Sequence, residues 1–367
     1  MLPLKNDVER EAVFALYTGY FNASAGRNVV SSHTIINSYL NDLTDFYWEI
    51  ARRSQGYNVV FVDEMHLFNA QERMVFHYLL ADPNPAVRVV MALDPSQSPR
   101  ETFTKIYSNR EEVRQDFLAS AGLADAENME LTTVYRYTPQ IHALIQTFMD
   151  VAPGLDLNED WGVPLAHSSL PDGPTPRFQV LNNDLEMFRA AIGSALSKRN
   201  RRTRGGAKTS RGKISNDRIA ILCLNYERFT KYKEAALGSE GAETARGQWK
   251  DKMFAITSRE DTEKLKYEAR KIVLSMPEYV AGLQFRMVLL LDANRYEVPE
   301  GPNSTYAVRR FLSEMYLGIS RAQFDLEVYA SNDQGGITPI LNSAVKNGLL
   351  LPIAQNIEFR PDALPDA

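Results

Sequence analysis

Three apolar runs in this sequence end on acidic residues, and they constrain the fold more than any other feature. Val59-Val60-Phe61-Val62 runs into Asp63-Glu64, the segment from Arg88 to Leu93 ends on Asp94, and Met287-Val288-Leu289-Leu290-Leu291 ends on Asp292. A strand that is apolar at successive positions is buried on both faces. That occurs in parallel sheets covered by helices, which deliver their polar residues at the carboxyl edge. The predicted class is therefore α/β, with amphipathic helices between parallel strands. An adjacent Asp-Glu pair at a strand end suits two uses: holding a divalent cation and activating a water, or capping the strand with two solvated acids. The pair alone does not separate them.

With 367 residues the chain has room for two ordinary domains, each with its own core. Hydrophobic residues at 44% and charged residues at 24% place it among globular proteins. The single cysteine, Cys223, excludes a disulfide within the chain and makes a reducing cytosol the expected compartment. No apolar run approaches a membrane span, so no membrane partner is expected. A net charge of −5 argues against coating nucleic acid by charge alone, but leaves room for a local basic groove.

Taken in order, residues 7–21 read as a helix, Asn28 to Val30 as a short strand, and the segment through Tyr47 and Trp48 to Arg53 as a second helix. Another helix covers Asn69 to Leu80, and a charge-rich helical stretch runs from Arg100 to Ala126. Ile141, Leu144, Ile145 and Phe148 give a further helix its buried face, and residues 152–176 form a Pro/Gly-rich segment. Strands are expected at Phe178 to Leu181, Arg218 to Leu224 and Leu326 to Tyr329, with helices following Leu185 and Val308. Residues 230–270 read as polar helix interrupted at Met253 to Ile256. Residues 198–213 hold Lys198, Arg199, Arg201, Arg202, Arg204, Lys208, Arg211 and Lys213 without an acid, which predicts a basic loop, either mobile or ordered against phosphates. The division this gives is a first domain over 1–130 and a second over 131–367.

Five of these segments, in this order, resemble the signatures of the UvrD/Rep family of superfamily 1 DNA helicases. Val59 to Glu64 is similar to its strand ending in Asp-Glu, and Asp94-Pro95-Ser96-Gln97-Ser98 to its Gly-Asp-x-x-Gln-Ser, with Leu93 in place of the glycine. Val134-Tyr135-Arg136 resembles Asn-Tyr-Arg with valine for asparagine, and Ala281-Gly282-Leu283-Gln284-Phe285 resembles Lys-Gly-Leu-Glu-Phe with both polar members changed. Tyr316-Leu317-Gly318-Ile319-Ser320-Arg321-Ala322 is similar to Tyr-Val-Gly-x-Thr-Arg-Ala. The resemblance implies two tandem RecA-like domains and ATP-driven movement on DNA, single-stranded in this family, with ATP and Mg²⁺ as cofactors. It implies that Asp63 binds Mg²⁺, that Glu64 is the general base, and that Gln97 senses the γ-phosphate. Arg136 and Arg321 would be arginine fingers. Tyr135 would stack on adenine, with Gly282 and Gln284 near the sugar and phosphates. His33 loosely matches a DNA-touching Thr-x-His segment, and Arg201, Arg202 and Arg204 are the basic candidates for DNA phosphates.

Two departures qualify this. No Gly-x-x-x-x-Gly-Lys-Ser/Thr occurs in the chain, and Gly205-Gly206-Ala207-Lys208-Thr209 does not supply one. The expectation is a first RecA-like domain incomplete at its N-terminus, with the phosphate loop upstream or on a partner protein that covers the incomplete domain. The family's two large insertions are also not evident. The alternative reading is a helicase-like subunit that no longer hydrolyses ATP and instead bridges DNA and a nuclease or other partner. A regulatory or structural role on the same fold is a third.

Overall fold

The computed structural model describes residues 6–27, 29–65, 68–82, 89–92, 127, 129, 131, 133–151, 167–204, 218–238, 249–258, 260–268, 271–294 and 304–353. Those up to 92, with 127, fall in one compact unit, and those from 129 onward in a second. The first contains α1 (Asp7–Gly26), α2 (Ser32–Thr44), α3 (Phe46–Gln55), β1 (Val60–Val62), α4 (Ala70–Tyr78) and β2 (Val89–Met91). Asn6, Ser31, Asp45 and Asn69 begin the four helices by accepting a backbone N–H from the first turn, and Asn69 with Glu72 completes a capping box. β1 and β2 pair in parallel, Val60 with Val89 and Val62 with Met91.

Three expectations fail in this unit. Val29 and Val30 are exposed and outside any strand, because Ser31 captures the Thr34 N–H and commits the chain to α2. The long helix to Arg53 is two helices, broken at Asp45, which caps the second. The strands at Val60 and Val89 are not buried on both faces: Val62 is buried, but Phe61 is 77% and Val90 48% exposed. Among the described residues this sheet has two strands, and nothing covers the face that carries those two side chains.

The second unit holds β3 (Thr133–Val134), α5 (Pro139–Val151), β4 (His167–Ser168), β5 (Arg177–Leu181), α6 (Asp184–Arg204), β6 (Ile219–Cys223) and α7 (Tyr226–Leu237). It continues with β7 (Met253–Ile256), β8 (Ile272–Ser275), β9 (Phe285–Leu291), α8 (Ser304–Ile319), β10 (Ala322–Ser331), α9 (Pro339–Lys346) and β11 (Leu351–Pro352). Seven strands form one sheet in the order β11-β5-β10-β9-β6-β8-β7, parallel throughout, while β3 pairs separately with β4. Val288 and Leu290 of β9 face one core with Ile141 and Leu144 of α5, Met315 and Ile319 of α8, and Leu341 of α9. Met287, Leu289 and Leu291 face the other, with Phe188 and Ile192 of α6 and Phe229 and Tyr232 of α7. This is the α/β parallel-sheet class read from the sequence. Met253 to Ile256, read as a break in a helix, is edge strand β7, and β8 was not anticipated. Residues 167–176 of the Pro/Gly-rich segment carry β4, while 152–166 lie outside the described residues, as do 93–126.

Two buried carboxylates anchor helices to this sheet. Glu327 in β10 accepts from Ser194 Oγ at 2.7 Å, Tyr329 Oη at 2.8 Å, the Arg177 guanidinium and Lys198 Nζ at 3.3 Å, and Lys198 also reaches Asp325 at 3.3 Å. Lys198, expected to open a loop, is therefore part of α6, which continues through Arg204; residues 205–213 lie outside the described residues. Asp292 follows β9 with φ 63°, and its Oδ1 accepts from Arg228 at 2.7 Å and Tyr232 at 3.3 Å. Its Oδ2 is buried without a partner among the described residues. Burial outweighs both hydrogen bonds and pushes the Asp292 carboxyl up to about 6.

Glu327→Ala leaves Arg177 without its carboxylate and Lys198 with Asp325 alone, and the expected loss is about 3–5 kcal/mol, read from the urea midpoint of the second unit; a change below about 1 kcal/mol would mean that the cluster is incidental. For Asp292 the folded state keeps a proton that an unfolded aspartate releases near pH ~4. Its contribution to stability is therefore full below that pH and lost as pH rises through about 6. Urea midpoints across this window should fall less steeply with pH in Asp292→Asn than in the parent chain. An unchanged slope assigns the effect elsewhere.

Candidate functional site

Three segments singled out by sequence meet at the amino ends of β9 and β10. After β3 the chain passes Tyr135, whose ring is 75% exposed, and Arg136, half-buried, to the buried pair Tyr137-Thr138. Thr138 N donates to Gln323 O at 3.2 Å, and Gln323 Nε2 donates to Gln284 Oε1 at 2.7 Å. Phe285 N donates to Arg321 O at 2.9 Å. The Tyr135, Gln284 and Arg321 segments are thus hydrogen-bonded into one edge. The register between β9 and β10 shifts between Ala322 and Asp325, and this irregularity lies where Gln323 joins Gln284.

The two arginines of this edge differ. No hydrogen bond or ion pair engages the Arg136 guanidinium among the described residues, and it follows directly on the exposed Tyr135 ring. Such a cation beside an open aromatic face can take a phosphate and a base. Arg321 is fully buried, donating from Nε to Leu317 O at 3.2 Å, from Nη1 to Leu283 O at 3.4 Å and from Nη2 to Ser320 Oγ at 3.1 Å. In this arrangement it ties the end of α8 to the segment before β9 and presents no guanidinium edge to solvent. Gly318 has a packing reason: a Cβ there would meet Leu290 Cδ1 at 2.7 Å, so glycine lets α8 lie close on β9. Gly282 takes φ 85° with open space around it, a conformation that suits glycine and bares the backbone beside Gln284.

In the first unit, Asp63 is exposed at the carboxyl end of β1, and Glu64 is half-buried with φ 52°. Among the described residues only Glu64 and Asp292 combine a side chain with left-handed φ. Asp63 Oδ1 accepts the Glu64 N–H at 2.9 Å, and Met65, fully buried, donates to Ala92 O at 2.9 Å. Backbone strain at a turn that aims two acids off a strand end is the kind found where geometry serves a ligand. No group of three or more metal-binding side chains occurs among the described residues. Two adjacent carboxylates are the kind of donor that a cation keeping most of its waters, such as Mg²⁺, can take.

His33 is exposed in the first turn of α2. Arg201, Arg202 and Arg204 lie on the last turns of α6, with only their backbone described, and Gln97 lies outside the described residues. Thr138 and Gln323, which join the segments, were not anticipated. Neither carries a charge or a spacing that marks it in the sequence. Arg286, whose guanidinium lies 5.0 Å from the Phe324 ring beside the register shift, was not anticipated either.

Among the described residues, no helix is long and apolar enough to cross a membrane. No family model matches the chain, and no curated protein matches it. Among solved structures it is similar to the C-terminal domain of a possible DNA helicase from Lactobacillus plantarum WCFS1, at 16% identity and a TM-score of 0.37, over 59% of this chain and 98% of that one.

Proposed function

We propose that this chain is a UvrD-like, ATP-dependent motor acting on single-stranded DNA, and that it uses a phosphate loop not contained in its 367 residues. The observation that carries the reading is the edge at β9 and β10. Segments distant in sequence, each resembling a family signature, are hydrogen-bonded there around an exposed tyrosine and a guanidinium that has no partner among the described residues. Asp63 supplies a carboxylate to Mg²⁺, and Glu64 accepts the proton of the attacking water. Arg136 neutralises phosphoryl charge, Tyr135 stacks on adenine, and Gly282 with Gln284 lines the nucleotide's approach. Arg321 acts as a positioning residue that fixes the α8 end and the segment before β9. Gln97 senses the γ-phosphate. His33 and the basic end of α6 at Arg201, Arg202 and Arg204 contact DNA. Bound Mg²⁺ would offset charge on the phosphates. The face at Phe61 and Val90, uncovered among the described residues, supports a covering protein partner, because parallel sheets bury both faces.

A second reading is supported by one specific fact: the missing phosphate-loop motif. In it the chain binds DNA and scaffolds a nuclease or other partner without hydrolysing ATP.

Titrated alone with Mg-ATP, the chain should show weak or undetectable affinity; tight binding would show that the nucleotide site is misplaced. ATPase activity should require DNA and a polypeptide carrying a phosphate loop. It should fall by roughly 10³-fold or more in Arg136→Ala and be abolished in Glu64→Gln. Normal hydrolysis by both variants in such a complex defeats the motor reading. DNA binding without any hydrolysis in that complex selects the scaffold.

A further inference from the structure

The ladder between β9 and β10 is uneven at its amino end. Ala322 pairs with Phe285 and Asp325 with Met287, so Gln323 and Phe324 together stand opposite Arg286 alone. Two residues against one is a β-bulge, which re-aims the side chains of the longer strand and is often found next to active sites. Here the two side chains part company. The Phe324 ring lies 5.0 Å from the Arg286 guanidinium, while Gln323 reaches back to Gln284, just before β9 begins.

Gln323 is thereby bonded in two directions. Its carbonyl oxygen accepts from Thr138 N at 3.2 Å, just after the Tyr135-Arg136 turn, and its Nε2 donates to Gln284 Oε1 at 2.7 Å. The first bond belongs to the main chain, and only the second depends on the side chain. The fold has little use for that second bond. Both glutamines are half-buried, the ladder already joins Met287 to Leu290 with Asp325 to Val328, and a hydrogen bond between neutral amides adds little net stability. What the bond restricts is Gln284. A glutamine side chain turns about three bonds, and ordering it before a ligand arrives removes an entropy cost from binding. We propose that Gln323 is a positioning residue: from one bulge it holds the Tyr135-Arg136 side of the edge by its carbonyl and Gln284 by its amide, which fixes their spacing for a nucleotide. It acts through those two neighbours, without itself touching the ligand. The inference rests on the reading of this edge as a nucleotide site.

The test is photolabelling of the full chain with Mg²⁺ and an azidoadenine analogue of ATP at millimolar concentration, which captures contacts too weak to titrate. The yield is read on the peptide that carries Tyr135, as the part suppressed by excess ATP. Gln323→Met keeps the length of the side chain without its amide. It should lower that yield by about threefold to tenfold and leave the urea midpoint of the second unit where it is. Gln284→Met should lower the yield similarly, and adding Gln323→Met to it should cost nothing further, because the two residues act as one unit. Undiminished labelling in Gln323→Met, additive losses in the double variant, or a yield that falls only as the midpoint falls would each overturn the role given to Gln323 and leave the nucleotide site standing. No ATP-protected label on the Tyr135 peptide of the parent chain would instead remove the nucleotide reading of this edge, and the inference with it.

Discussion

The pairing of β9 with β10 is the contact on which the second unit depends. The importance of β9 is its position, with every residue but Arg286 buried and strands hydrogen-bonded on both sides. The same pairing begins at Phe285 and Arg321, so the amino end of the core is also the edge where Tyr135, Gln284 and Gln323 are gathered. Packing and site geometry are therefore fixed by one set of backbone bonds. Side chains on a rigid parallel sheet are held more closely than a loop could hold them.

Polar groups inside this unit act as anchors rather than as chemistry. Glu327 sits below the surface with four donors around it and holds α6 to β5 and β10. Asp292 does similar service for α7 just past the carboxyl end of β9, with the added cost of a buried oxygen that finds no partner among the described residues. Among the described residues, the first unit has no comparable interior. Its two-stranded sheet and its helices leave Phe14, Tyr17, Phe46, Tyr47 and Phe61 exposed, and burial of that apolar surface is the term that would stabilise it most.

Much of the fold was legible because the central strands β6 and β9 are apolar at every position but Arg286. Ile219 to Cys223 and Phe285 to Leu291 could hardly be anything but the interior of a parallel sheet. The same logic misled at Val59 to Val62, where an identical pattern lies in a sheet with one face open; periodicity reports what a strand could bury, not what is there to cover it. Val29-Val30 had strand propensity, but the Ser31 cap set the backbone. Lys198 looked like the start of a solvated run because its partners, Asp325 and Glu327, lie far away in sequence. At the candidate site, residue type pointed to Tyr135 and Arg136. Nothing in the sequence separates an open arginine from one like Arg321, whose guanidinium donates to Leu317 O, Leu283 O and Ser320 Oγ inside its own unit.

Ser320 and Arg321 are the whole connection between α8 and β10, and both are buried and hydrogen-bonded. A joint that short and that well tied has no slack, so a sixteen-residue rod and a ten-residue strand move as a single piece. Compliance at this edge belongs instead to the Tyr135-Arg136 turn, where a ring in water can change rotamer without disturbing the core. The stiff half sets where a ligand must sit, and the soft half does the adapting.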